Sequence, residues 1–236
     1  MMGLQAIHHQ PWWLLVCFSL LLSLITGCME DLTTLKIPGV ERTFHEAVGW
    51  KAEDFFNDSA VVELCNAIEA NDIATMKRLI AEGVDVNAIG EGGVTPLLWA
   101  FVDNQPERFQ LLLKHGADPN VKLTSDLGHP NAFRAGDTVM HLAARSQFPD
   151  HFLQVMKHGG DPTILGRHGD TVIHEIIKAG VPNPVPRIEA AVKGGADINA
   201  FNRSGYTPIQ QSITRFSQLK LAAELMRLGA DPTIRS

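Results

Sequence analysis

Thr138-Val139-Met140-His141-Leu142-Ala143 decides how this chain folds, because the phrase returns along the sequence. Shorter forms of it are Thr95-Pro96-Leu97, Thr171-Val172-Ile173-His174 and Thr207-Pro208-Ile209. A second phrase alternates with it: Gly83-Val84-Asp85, Gly116-Ala117-Asp118, Gly159-Gly160-Asp161, Gly195-Ala196-Asp197 and Gly229-Ala230-Asp231. From glycine to the next threonine the count is 12 at Gly83, Gly159 and Gly195, but 22 at Gly116. Ten residues are therefore inserted within 121–136. From threonine to the next glycine the counts are 21, 21, 24 and 22, and the longest contains Pro182, Pro184 and Pro186. Prolines there interrupt a helix and lengthen the loop between two helices.

Both phrases carry structural chemistry. Threonine caps a helix start, and proline at the first helical position gives up no useful hydrogen bond. Glycine ends the following helix in a left-handed turn. Apolar positions such as Leu79, Leu111, Leu112 and Leu113 then face neighbouring helices. The pattern resembles the ankyrin repeat, with its period of about 33 residues and its T-P-L-H-x-A fingerprint. That resemblance covers roughly residues 60–236. It implies an all-α solenoid of stacked helix pairs with short β-hairpin fingers, about five repeats over 59–236, the first degenerate. It also implies that His141 and His174 use their rings to bond threonine and backbone. Leu98 and Gln210 replace that histidine, and Val139 and Val172 replace the proline, so those units are expected to be less regular. The last repeat is expected to serve as its own C-terminal cap.

Residues 1–27 are a different kind of sequence. Trp12 to Gly27 is a run of 16 residues without charge. It is short for a bilayer-spanning helix and suits the apolar part of a signal peptide. The run ends in Ile25-Thr26-Gly27-Cys28, which resembles the lipobox of bacterial lipoproteins. That resemblance implies cleavage before Cys28 and acylation of its thiol and new amine, with several acyl chains for stable anchoring. An uncleaved signal anchor, or a secretory signal cut elsewhere, remains open, since 1–27 contains no Lys or Arg. Met29 after the cysteine implies a periplasm-facing outer membrane if the host is Gram-negative. Residues 28–58 read as a lipid tether followed by an N-terminal cap, with Phe44, Val48, Trp50, Phe55 and Phe56 covering the open end of the stack. Of Cys17, Cys28 and Cys65, only Cys65 is left to the folded part, as a buried thiol outside any disulfide.

Composition narrows function. A net charge of -6 gives no general attraction to nucleic acid. His174-Glu175 starts like a zinc-protease motif, but Lys178 stands where the second histidine is needed. No nucleophile elbow or phosphate-binding glycine loop occurs. No enzyme activity, cofactor, metal or small-molecule substrate is expected. Ankyrin proteins bind partners through fingertips and the ends of first helices, which here selects Glu91, Arg134, Arg167 and Arg203, then Arg145, Lys178 and Arg215. A basic row over the last three repeats implies a protein partner with an acidic patch. Leu123, Leu127 and Phe133 in the long finger are a second candidate contact, expected to project past their neighbours. The resulting expectation is a non-catalytic protein-protein interaction module tethered to the cell envelope. Its alternative is an immunity or inhibitor protein that neutralises an envelope-acting toxin or hydrolase.

Overall fold

A threonine or aspartate starts most of the helices, and a left-handed glycine follows each second helix. The computed structural model describes residues 43–128, 132–148, 150–214 and 218–235. Two short helices come first, α1 (Phe44–Val48) and α2 (Ala52–Phe55). Five pairs follow: α3 (Ser59–Glu69) with α4 (Ile73–Ala81), α5 (Pro96–Phe101) with α6 (Pro106–Lys114), α7 (Val139–Arg145) with α8 (His151–Lys157), α9 (Val172–Ala179) with α10 (Val185–Lys193), and α11 (Pro208–Thr214) with α12 (Leu219–Arg227). First helices pack on first helices of the next unit, and second on second, so one apolar core runs from Ala52 to Ala230. No unit could bury its own apolar face alone.

The repeated phrases do what their chemistry dictates. Thr95 Oγ1 accepts the Leu98 N–H at 3.2 Å, and Thr171 Oγ1 accepts the His174 N–H at 3.4 Å. His174 Nδ1 lies 3.3 Å from the Thr171 N–H it accepts, so Nε2 carries the proton and donates to the Tyr206 carbonyl at 3.0 Å. One imidazole thus closes its own helix and ties down the next finger. Gln210 performs the same two tasks: Oε1 accepts the Thr207 N–H at 3.0 Å and Nε2 donates to Ile234 O at 2.6 Å. The expected irregularity at Gln210 is absent, because an amide offers the acceptor and donor that a neutral imidazole does.

Gly83, Gly116, Gly159, Gly195 and Gly229 have φ between +84° and +103°, where a side chain would be strained. Beside them runs an asparagine ladder. Asn87 Nδ2 donates to Gly116 O at 2.9 Å while its Oδ1 accepts the Asp118 N–H at 2.7 Å. Asn120 repeats this on Gly159 and Asp161, and Asn199 on Gly229 and Asp231. Thr163 occupies the asparagine position in unit three, so the junction between units three and four lacks both rungs.

Two buried arginines lock units together. Arg187 on α10 donates from Nη1 to the carbonyls of Ala143, Ala144 and Ser146 and from Nη2 to that of Phe148, at 2.8–3.2 Å. Those carbonyls belong to the end of α7 and the turn after it, where helical partners run out. Arg108 on α6 likewise donates to Ile68 O at 2.6 Å, near the end of α3.

The structure departs from the sequence reading in three places. Among the described residues there are no β-strands; the fingers are turns closed by single bonds such as Gly90 N–H to Val94 O and Gly166 N–H to Asp170 O, with one isolated bridge at Leu127–Phe133. Rather than merely projecting, the long finger buries Leu123 and Phe133 and lays Leu127 against Gly92. Nor do residues 43–56 lie only over the outer end of unit one. His45 stacks on Trp99 with ring centroids 4.2 Å apart, and Trp50 and Phe44 meet Phe133 at 5.3 and 5.8 Å. The segment is a strap laid across the first-helix side of unit two and clasped by the long finger. Three long-range bonds hold its start: Thr43 Oγ1 to Glu69, Phe44 N–H to Asp103, and His45 Nε2 with Trp99 O.

Candidate protein-binding face

The strap fills the first-helix side of unit two, so the open part of that side belongs to units three to five. Arg134, Arg145, Lys178, Arg167 and Arg203 belong to the fingers and first helices of those units. Most of their charge is already engaged. Arg145 is buried and donates from Nη2 to Asp137 Oδ2 at 2.6 Å and to Ala132 O at 2.7 Å. Arg134 reaches both oxygens of buried Glu175 at 3.4 Å. Lys178 pairs with Asp170 at 2.9 Å and with Glu175 at 3.5 Å. Three cations therefore face three anions, Asp137, Asp170 and Glu175. Burial alone would raise the Asp170 carboxyl, but bonds from Lys178 and Asn202 outweigh it and hold the group below its ordinary value. This cluster braces the long finger against α7 and α9 and presents little net charge.

Arg167 and Arg203 differ. Arg167 pairs with exposed Asp126, at 2.9 Å, a contact that water and salt weaken. Arg203 is exposed, and its backbone N–H donates to His168 O at 3.0 Å, joining the fingertips of units four and five. Between these arginines, exposed His168 holds a left-handed backbone (φ +64°), a conformation that the corresponding finger of unit two gives to Gly92. Glu91 is exposed in an open cleft of about 590 Å³ with Phe55, Phe56 and Thr124, away from the basic residues. Arg215 and Cys28 lie outside the described residues, as do 1–42 with the apolar run.

Sequence reasoning missed the apolar half of this face. Leu165 and Phe201 stand exposed at one register, four residues after Asp161 and Asp197, on neighbouring fingers. The register was countable from the Gly-x-Asp phrase. What sequence could not show was that these two apolar side chains stay exposed.

Four of the described histidines are structural. His141 and His174 bond their helix-cap threonines. His45 and His151 are buried, and burial lowers both to about 4, so they are neutral near pH 7. Cys65 is buried and its thiol is pushed far up by burial, which leaves it unreactive. Among the described residues no cluster of three His, Cys, Asp or Glu side chains is placed to hold a metal, and no helix is long and apolar enough to cross a membrane.

The family model of the ankyrin repeat matches residues 92–122, the finger and helix pair of unit two. That match covers 31 of the 236 residues, and the described helix pairs have the stacked all-α form of an ankyrin-repeat solenoid. Similar stretches occur in an ankyrin repeat protein of fowlpox virus, FPV024 (43% identity over 42 residues, 18% of this chain and 7% of the relative). They also occur in palmitoyltransferase akr1 of Schizosaccharomyces pombe (45% over 56 residues, 23% and 9%). A third is the mitochondrial disaggregase of Bos taurus (41% over 64 residues, 27% and 9%). The chain thus spans less than a tenth of these relatives, and their named activities are said of those proteins. What is shared is the ankyrin repeat, a protein-protein interaction module whose polar signature residues are spent on caps and turns.

Proposed function

We propose that this ankyrin protein is a non-catalytic binding module held at the cell envelope by acylated Cys28, and that it grips a protein partner with the fingers of units three to five. The observation that carries the reading is the register of Leu165 and Phe201, two exposed apolar side chains on adjacent fingers beside Arg167 and Arg203. An apolar pair flanked by loosely held guanidinium groups suits an acidic surface with an apolar centre, which gains area burial from the first and orientation from the second. Residues 1–27 serve as the cleaved signal, and 28–42 as the tether.

Two measurements test this. In the full chain, Arg167→Glu with Arg203→Glu should weaken partner capture roughly tenfold at low salt, while Glu91→Lys, on the strap side, should not. Equal capture by the double variant at low ionic strength would sink the basic-edge reading. For the anchor, intact mass of wild type against Cys28→Ser should differ by the mass of the acyl groups. A difference equal to the side-chain substitution alone would remove the lipid tether.

A further inference from the structure

The finger of unit four holds a residue that its backbone does not favour. Gly169 N–H bonds to Gly166 O at 3.2 Å and closes a four-residue turn, whose third residue, His168, stands at φ +64°. Glycine or asparagine is the usual occupant of that conformation. In unit two the same turn, closed by Gly93 N–H to Gly90 O at 3.1 Å, gives the position to Gly92 at φ +69°. In unit five it closes from Gly205 N–H to Asn202 O at 2.9 Å, and Ser204 in the third place has no positive φ. The repeat therefore does not demand a histidine here, and holding one costs stability.

Nothing inside the fold offsets that cost. His168 is exposed, and among the described residues its ring has no hydrogen-bond or ion-pair partner. Arg203 on the next finger is exposed as well, and its guanidinium has no partner among them either. The bond from the Arg203 N–H to His168 O, at 3.0 Å, pins the two fingertips together. Imidazole and guanidinium are thus within reach of one carboxylate. Exposed Leu165 lies three residues before His168, and exposed Phe201 two residues before Arg203.

We infer that His168 reads a carboxylate of the partner together with Arg203, and that capture tightens as its ring takes up a proton. The inference rests on the finger-face reading proposed above. A histidine gains its charge between about pH 8 and 5, and a carboxylate set against it favours the charged form. The charged groups of the fingers beside it are Arg167 and Asp170 on its own turn, Arg203 on the following finger, and Arg134 and Asp126 on the preceding one. Asp126 is engaged by Arg167, Asp170 by Lys178, and Arg134 by Glu175. Guanidinium groups and carboxylates keep their charge from pH 8 to 6, so the ring supplies the change.

The test is titration of the full chain at low salt with a fluorescent peptide of leucines flanked on both sides by aspartates, read by anisotropy at pH 8 and pH 6. Wild type should bind roughly fivefold more tightly at pH 6 than at pH 8. His168→Asn tolerates the left-handed turn but gains no charge, and should lose that ratio. Arg167→Glu with Arg203→Glu should abolish binding at both pH values. Wild type without the pH dependence, or an asparagine variant that keeps all of it, overturns the role of His168 while the finger face stands. Binding that survives the two glutamates, or a wild-type chain that does not take the peptide at all, overturns the finger-face reading and this inference with it.

Discussion

Thr163→Asn should strengthen the junction between units three and four. At the other three asparagine positions the side chain makes two bonds to the following unit, one from Nδ2 to the turn glycine carbonyl and one to the N–H of the aspartate. Thr163 already points the right way, because its Cγ2 would lie 3.7 Å from a Cβ placed on Gly195. The asparagine should therefore find Gly195 O and the Asp197 N–H without backbone movement. Its own N–H would keep the bond to Asp161 that Thr163 makes at 2.8 Å, as Asn120 does with Asp118 at 2.8 Å. The loss is one exposed hydroxyl bond, Thr163 Oγ1 to Asp161 at 2.6 Å. Two gained bonds at about 0.5–1.5 kcal/mol each, less one exposed bond, leave roughly 1–2 kcal/mol. For a folded part of this size that amounts to roughly 2–8 °C in Tm. Hydrogen exchange read unit by unit on the full chain is the sharper assay, since a repeat array opens from its weakest junction. Slower exchange in α9 to α12, with little change in α3 to α6, is expected. Unchanged or faster exchange in α9 to α12 would refute the reasoning.

Two further outcomes follow from buried groups. Arg187→Met should cost about 3–5 kcal/mol, because it removes the charge-assisted donor from four carbonyls at once. Arg187→Lys should recover only part of that, since an ammonium cannot fork. A urea midpoint within experimental error of wild type for the methionine variant would contradict the arginine's role. Acid should weaken the fold in the window set by His45 and His151, both lowered by burial to about 4. Their unfolded values lie near 6.5, so as pH falls from about 6.5 toward 4 the unfolded chain takes up protons first and stability drops. Each histidine is worth on the order of 2–3 kcal/mol at the bottom of that range. A urea midpoint that stays constant from pH 7 to 4.5 would speak against it.

The repeat architecture was legible because its signals are local. A threonine, a glycine and an apolar face each act within a turn or two of helix, so spacing alone places them. The fate of the cations was not legible, because their partners lie in other units: Arg134 meets Glu175 and Arg167 meets Asp126, each 41 residues away. The spacing that aligned the basic residues also aligned Asp137 and Asp170 one residue before their threonines, and these absorb Arg145 and Lys178. Arg187 was passed over because a charged residue eight positions before a turn glycine reads as a solvated helix face. Only the tertiary fold shows that this position points at the exposed carbonyls of the preceding first helix. The strap was half legible. Its aromatic residues signalled burial, but nothing nearby in sequence indicated that Phe133 would complete the pocket.

The strap also sets an order of events during synthesis. Elsewhere in the stack a unit needs only its immediate neighbour, so each helix pair can dock as soon as it emerges. Phe44 cannot meet Phe133 until 89 further residues have been made. Until then Trp50, Phe55 and Trp99 remain without their final cover, and the nascent chain is sticky for that whole interval. Closure then ties units one to three together through the strap and the long finger.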